Sequence, residues 1–303
     1  MAMKTTRGVR SPVRWFGGKG LMVGKILPLF PEHHTYVEVF GGGASLLFAK
    51  EPAPVEVYND LDGGLVNFFR VLRDPGKFPR LLHLASLTPY SREEYAHFRA
   101  TWQTCDDDVD RAHRWFVVSR MNFSGDWSSA SWSKTVIQVK RGMAESVSKY
   151  LSTIEALPEF HARLMPVQIE HRDFRQIIPA YDTPNTLFYC DPPYIHDTRT
   201  DHTGMYRHEL SLFDHWELVQ MLLRIKGKAI LSGYAHKEYK ALEEAGWTRK
   251  DFNVGCAAAA RTKATGILGA GAARSKAARV ESVWISPILH SELRTPNSEG
   301  ELP

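Results

Sequence analysis

Apolar residues along this chain fall into two kinds of run. Short runs rich in β-branched and aromatic side chains, closed by Gly, Pro, Asn or Asp, lie near 36–40, 55–58, 167–170, 186–190, 228–232, 247–252 and 281–285. They predict seven strands. Longer runs with helical spacing lie at 64–72, 91–103, 108–121, 141–156 and 212–225. Ser91, with Glu94 three residues on, reads as the N-cap of the second of these. Strands alternating with helices predict an α/β fold with a doubly wound sheet. The stretch from Asp62 to Val167 breaks that alternation: about a hundred residues read as helix, where a βαβ crossover needs about 30. A helical domain is therefore expected at 65–164, inserted into a sheet domain built from 1–64 and 165–303.

The run Leu187-Phe-Tyr-Cys190 is the most buried in character, and it stops at Asp191-Pro-Pro-Tyr194. A short, wholly apolar, β-rich run suits a central parallel strand. Pro192 and Pro193 end it and stiffen the turn that follows. The carboxyl edge of such a sheet is where ligands sit. There Asp191, the Pro192 carbonyl, Pro193 and the Tyr194 ring offer two acceptors and a stacking face, a set that suits the exocyclic amine of a planar nitrogen base. The plainer reading of these four residues is a Pro-rich turn.

Upstream, Tyr36-Val-Glu-Val-Phe-Gly-Gly-Gly-Ala-Ser45 reads as strand, glycine turn and helix start, with Glu38, Phe40, Gly41 and Gly43 in or beside the turn. Glycines there let backbone approach a ligand closely. Leu46 stands where a dinucleotide fingerprint places its third glycine, so that fingerprint is absent. Asp60 follows the next strand at the separation of a ribose-binding acid. Together these pieces point to a nucleoside ligand.

Composition narrows the class. The chain has 303 residues, 43% of them hydrophobic, which is enough for a substantial core. No apolar run reaches membrane-spanning length, and the first ten residues have charge but no apolar core of a signal peptide, so a membrane or secreted protein is not expected. Cys105, Cys190 and Cys256 are odd in number and dispersed, which fits a reducing cytoplasm and gives no metal spacing. Thirteen histidines form no ligand-like cluster either. Net charge is only +4, but Lys4, Arg7, Arg10, Arg14, Lys19 and Lys25 precede the first acid, and 252–280 holds bases without acids. Such stretches can track a phosphate backbone, or simply be solvated faces.

Five blocks in order, Arg14-Trp-Phe-Gly-Gly-Lys19, Glu38-Val-Phe-Gly-Gly-Gly43, Asn59-Asp-Leu-Asp62, Arg172-Asp-Phe174 and Asp191-Pro-Pro-Tyr194, resemble the Dam-type DNA adenine methyltransferases. The resemblance implies a Rossmann-like, seven-stranded sheet that uses S-adenosylmethionine, with a helical insertion that reads double-stranded DNA. It assigns Asp173 and Phe174 to the cofactor's adenine, with Trp15 lining the same pocket and Lys19 near the cofactor's polar end. Arg14 replaces a lysine common in the family. Arg120-x-Asn122-Phe-x-Gly, opening a Ser- and Trp-rich stretch that ends at Lys134, resembles a DNA-contacting loop, and Arg and Asn are the side chains best shaped to read guanine and adenine. Trp115 and Phe116 read as core. The tetrad alone fits any exocyclic amine, so cytosine N4 or an RNA base also fit it, as does a non-catalytic nucleotide- or DNA-binding chain.

Overall fold

A computed structural model of the chain describes residues 11–123, 127, 131–195, 208–254 and 279–287. The expected strands form one seven-stranded sheet: β1 (Thr35–Glu38), β2 (Val55–Asn59), β5 (Gln168–Glu170), β6 (Thr186–Cys190), β7 (Lys228–Gly233), β8 (Thr248–Val254) and β9 (Arg279–Ile285). Their order is β5-β2-β1-β6-β7-β9-β8, and β9 alone runs antiparallel, between β7 and β8. Strand order reverses beside β1, with β2 on one side and β6 on the other. That reversal leaves a crevice at the carboxyl ends of these three strands.

Alternation along the strands divides the core. On one face, Tyr36, Tyr58, Leu187 and Tyr189 pack with α2 (Ser45–Ala49), α3 (Gly63–Arg73), α6 (Asp108–Met121) and α7 (Glu145–Leu164). On the other, Val37, Val57, Phe188 and Cys190 pack with α8 (Phe174–Tyr181), α9 (Leu212–Leu222) and α10 (Lys240–Glu244). Successive side chains of a strand point to opposite sides, so each run feeds both layers.

The helical stretch between β2 and β5 also contains α4 (Phe78–Leu87) and α5 (Arg92–Thr101), while α1 (Val23–Ile26) precedes the sheet. The Ser91 hydroxyl accepts from the amides of Glu93 and Glu94, as its position predicts. Trp115 and Phe116 are fully buried, and one continuous core joins them to the sheet face under Tyr36 and Tyr58. The helices thus share the sheet's core and do not build one of their own. A buried network reinforces the join: Arg163 on α7 donates to Glu56 on β2 at 2.5 and 2.9 Å and to the Leu47 carbonyl at 2.8 Å, while Lys50 reaches Glu56 at 2.6 Å.

Helices α4 and α8 add to those expected, and the helix expected at 141–156 differs most from its bounds. Residues 141–156 carry helical spacing, yet Arg141 and Gly142 adopt φ of 57° and 74° and turn a small hairpin of β3 (Val139–Lys140) and β4 (Met143–Ala144). The helix begins only at Glu145 and then runs through Pro158 to Leu164, held by the buried Leu157, Phe160 and Leu164. Tertiary burial there outweighs the proline.

Candidate active site

The crevice beside β1 is a cleft open to solvent. Trp15, Lys19, Glu38, Phe40, Gly41, Gly43, Asp60, Phe174, Asp191 and Pro193 all line it. The sequence therefore brings residues more than 170 positions apart to one place. Pro192 and Tyr194 are buried just behind the lining.

The glycine turn is fixed from within. A Cβ on Gly41 would lie 2.2 Å from the Tyr58 ring, and one on Gly42, whose φ is +48°, 2.7 Å from Trp15. The Tyr58 hydroxyl donates to the Gly42 carbonyl at 2.8 Å. Asp60 closes the turn from the other side, accepting from the amides of Gly42 and Asp62 at 2.8 Å each. Asn59, buried, donates to the Val39 and Arg172 carbonyls and accepts from the Arg172 amide, so it ties the ends of β1, β2 and β5 together. Asn59 stands in one of the five blocks, but its role is visible only once three strand ends are adjacent.

Four acids, Glu38, Asp60, Asp62 and Asp191, line the cleft. Glu38 Oε1 accepts from the Tyr36 hydroxyl and the Leu47 amide at 2.9 Å, whereas Oε2 is buried with no hydrogen-bond partner among the described residues. Burial pushes Glu38 up to about 7, against those donors, and pushes Asp60 up to about 6, against its two amides. Burial likewise raises Asp191 to about 6, opposed by the Lys19 ammonium 2.7 Å from its Oδ1. Burial works against the charge on Lys19, but Asp191 leads the acids that outweigh it, and the lysine stays protonated. Tyr194, 8% exposed, sets its ring 4.8 Å from Lys19 Nζ and edge-on to Tyr234 at 4.6 Å.

Other expected residues are placed differently. Asp173 caps α8 through the Arg175 amide and is paired with the Arg175 guanidinium, which also binds Asp214 and Glu217. Its neighbour Phe174 is buried against Phe40, ring centroids 5.7 Å apart. Arg14, Arg120 and Asn122 come together at the root of the Ser- and Trp-rich stretch. Arg14 donates to the Asn122 carbonyl at 2.9 Å and exchanges hydrogen bonds with Ser119, Asn122 is wholly buried, and Arg120 is 8% exposed. Arg120 donates to the Lys149 carbonyl at 3.3 Å, and burial, with Arg14 beside it, lowers its guanidinium to about 9. Lys134 is exposed. Trp15 leads from the cleft to this region through Trp115 at 6.3 Å and Trp127 at 5.3 Å. Asp126, Lys4 and Arg7, the loop at 197–207, the Gly/Ala-rich stretch at 255–278 and the C-terminal tail lie outside the described residues.

A doubly wound sheet with an acidic, glycine-turned cleft at its reversal point and Asp-Pro-Pro-Tyr directly after the adjoining strand fits a nucleoside-handling enzyme of the amino-methyltransferase type. Residues 15–251 match the D12 class N6 adenine-specific DNA methyltransferase model, and the chain belongs to that family. It is similar to the type II methyltransferase M1.LlaDCHI of Lactococcus lactis subsp. cremoris, 26% identical over 86% of this chain and 92% of that protein. It is also similar to the type II methyltransferase M.FokI of Planomicrobium okeanokoites, at 23% over 72% of this chain, and to the DNA N-6-adenine-methyltransferase of Escherichia phage P1, at 26% over 70%. The chain spans only 33% and 28% of those two longer proteins. Among solved structures, an rRNA methyltransferase from Streptomyces viridochromogenes aligns over 94% of this chain with a TM-score of 0.37, too slight a likeness to build on. The enzyme methylates the N6 amine of adenine in DNA, using a methyl donor held in this fold. No helix among the described residues is long and apolar enough to cross a membrane.

Proposed function

We propose that the donor is S-adenosylmethionine and that the substrate is a flipped adenine of double-stranded DNA. The observation that carries this reading is the convergence of Glu38, Asp60 and Asp191, from the ends of three adjacent strands, on one cleft with a single lysine. Asp62 and Arg172 line the cleft as well, so its ionised acids exceed its lysine and arginine by two charges, which suits a ligand whose ammonium and sulfonium outnumber its one carboxylate. The free Glu38 Oε2 is an acceptor such an ammonium would satisfy, and Asp60, at the glycine turn, suits ribose hydroxyls. Phe40, Phe174 and Trp15 give the purine apolar walls. Asp173 would join them only by loosening from Arg175.

When bound, the cofactor supplies an electrophilic methyl group. The tetrad has to make a poor nucleophile competent, since the adenine amine's lone pair is delocalised into the ring. With Asp191 and the Pro192 carbonyl each accepting one amine hydrogen, the nitrogen can pyramidalise and turn its lone pair outward. Asp191 then takes the proton that the methylated nitrogen sheds. Flipping the base out costs about a few kcal/mol, partly offset by stacking on Tyr194. In this reading Arg14, Arg120 and Asn122 hold the recognition stretch in place beside the DNA, and Lys134 meets phosphate.

Calorimetry with S-adenosylmethionine and no DNA tests the cofactor site. Asp60 and Glu38 are ionised only above their raised values of about 6 and 7, so binding should tighten as pH rises through that window. Glu38→Gln should remove the upper part of the dependence. Absence of binding at every pH would contradict the assignment.

A further inference from the structure

Lys19 occupies the contacts assigned above to the target amine. Its Nζ lies 2.7 Å from Asp191 Oδ1 and 4.8 Å from the centroid of the Tyr194 ring, and it donates to the Gly17 carbonyl at 3.3 Å. The lysine side chain is 5% exposed and that of Asp191 16%, so little room is left around the pair. A nitrogen carrying hydrogens, set between that carboxylate and that ring face, is what the tetrad must hold when adenine arrives. Both nitrogens cannot be there at once.

We propose that Lys19 is a resident stand-in for the target amine, filling the catalytic position until a flipped base displaces it. The proposal rests on the tetrad being the site of amine methylation. It accounts for a buried lysine at the reacting carboxylate, where a permanent ion pair would oppose a neutral amine. A buried carboxylate without a partner is costly, and Lys19 keeps Asp191 compensated while no base is bound. The displaced ammonium need not return to water. Glu281, on β9, acts electrostatically on both Lys19 and Asp191, and its Oε2 is buried with no hydrogen-bond partner among the described residues. Gly17, at φ of 72°, and Gly18 precede the lysine and give its backbone few steric limits. Lys19 is in this sense a positioning residue, and a competitor of the substrate base.

A competitor has a distinctive signature: removing it strengthens binding. With S-adenosylhomocysteine saturating, at about pH 8 so that Asp191 is ionised, the affinity of 9-ethyladenine should be about tenfold or more higher for Lys19→Met than for wild type, as expected when a mostly occluded site is freed. Equal or weaker binding by the variant would overturn the proposal, because a lysine that supports the fold or contacts the base directly gives that result. A measurement on the wild type keeps the test independent of the variant's folding. In ¹⁵N-lysine spectra the buried Lys19 ammonium should give a protected signal that shifts on saturation with 9-ethyladenine, and a signal that stays put with the base bound would also overturn it. Wild type that methylates DNA adenine but fails both tests retains its function and loses the stand-in. Wild type that methylates no DNA loses both.

Discussion

Gly41 is demanded by the protein before any ligand arrives. The 2.2 Å approach of a Cβ to the Tyr58 ring means that even alanine must displace a buried tyrosine whose hydroxyl holds the turn. Gly41→Ala should cost about 1–3 kcal/mol in urea unfolding, the range for overpacking, besides weakening the cofactor. A Gly41 variant that kept full stability while losing cofactor would show the close approach to be unimportant. Glu38, Asp60 and Asp191 make a pH prediction. Each binds its proton more readily folded than unfolded, so their contribution to stability is largest at low pH and shrinks as pH rises from about 4, the ordinary carboxylate value, through their raised values of about 6 to 7. The melting temperature of the free enzyme should carry that downward component, and saturating S-adenosylmethionine should reduce it. Equal slopes with and without cofactor would mean that these acids do not meet it.

Between β2 and β5, the helices are fastened to the sheet by Arg163, Glu56 and Lys50 as well as by apolar contact. The arginine beside it holds Glu56 below the usual carboxylate range, although burial pulls the other way. Arg163→Met removes one partner of a buried network and should cost about 3–5 kcal/mol, as for broken buried ion pairs. A loss under 1 kcal/mol would mean that Lys50 alone suffices. At this scale the sequence was readable wherever burial and period agreed. The central strands β1, β2, β6 and β7 are short, largely buried runs, whereas the edge strand β8 is mostly polar and exposed, and 108–121 matches its helix because a capping acid, Asp107, precedes a long buried run. The hairpin at 139–144 was hidden because its residues continue a helical period, and only the positive φ values at Arg141 and Gly142 show the break. The site divides in the same way. Asp191, the glycine turn, Asp60, Trp15 and Lys19 sit at chain positions that motifs mark. Glu281 matters through neighbours far off in sequence, which no local pattern records, and the blocks holding Asn59 and Arg172 do not show that these two bond to each other. The Arg175 pairing of Asp173 is equally invisible locally, since two of its acids come from α9.

Across the whole molecule, one core runs from the sheet to Trp115 and on to Trp127, so the cleft and the stretch proposed to face DNA share a scaffold. The burial of Arg120 and Asn122 changes what their replacement should do. Asn122→Ala should lower stability and site preference together, whereas Lys134→Ala should weaken binding alike on all sequences and reduce the salt slope by about 1. If Asn122→Ala relaxes site preference at unchanged stability, the side chain reads bases directly. The claim at the centre is that Asp191 drives methyl transfer to adenine N6. Methylation-sensitive sequencing of host DNA, after expression of wild type and of Asp191→Ala at matched soluble levels, tests it most directly. The account predicts N6-methyladenine at one defined sequence with wild type and none with the variant. Methylation at cytosine N4, or N6-methyladenine persisting with Asp191→Ala, would contradict it.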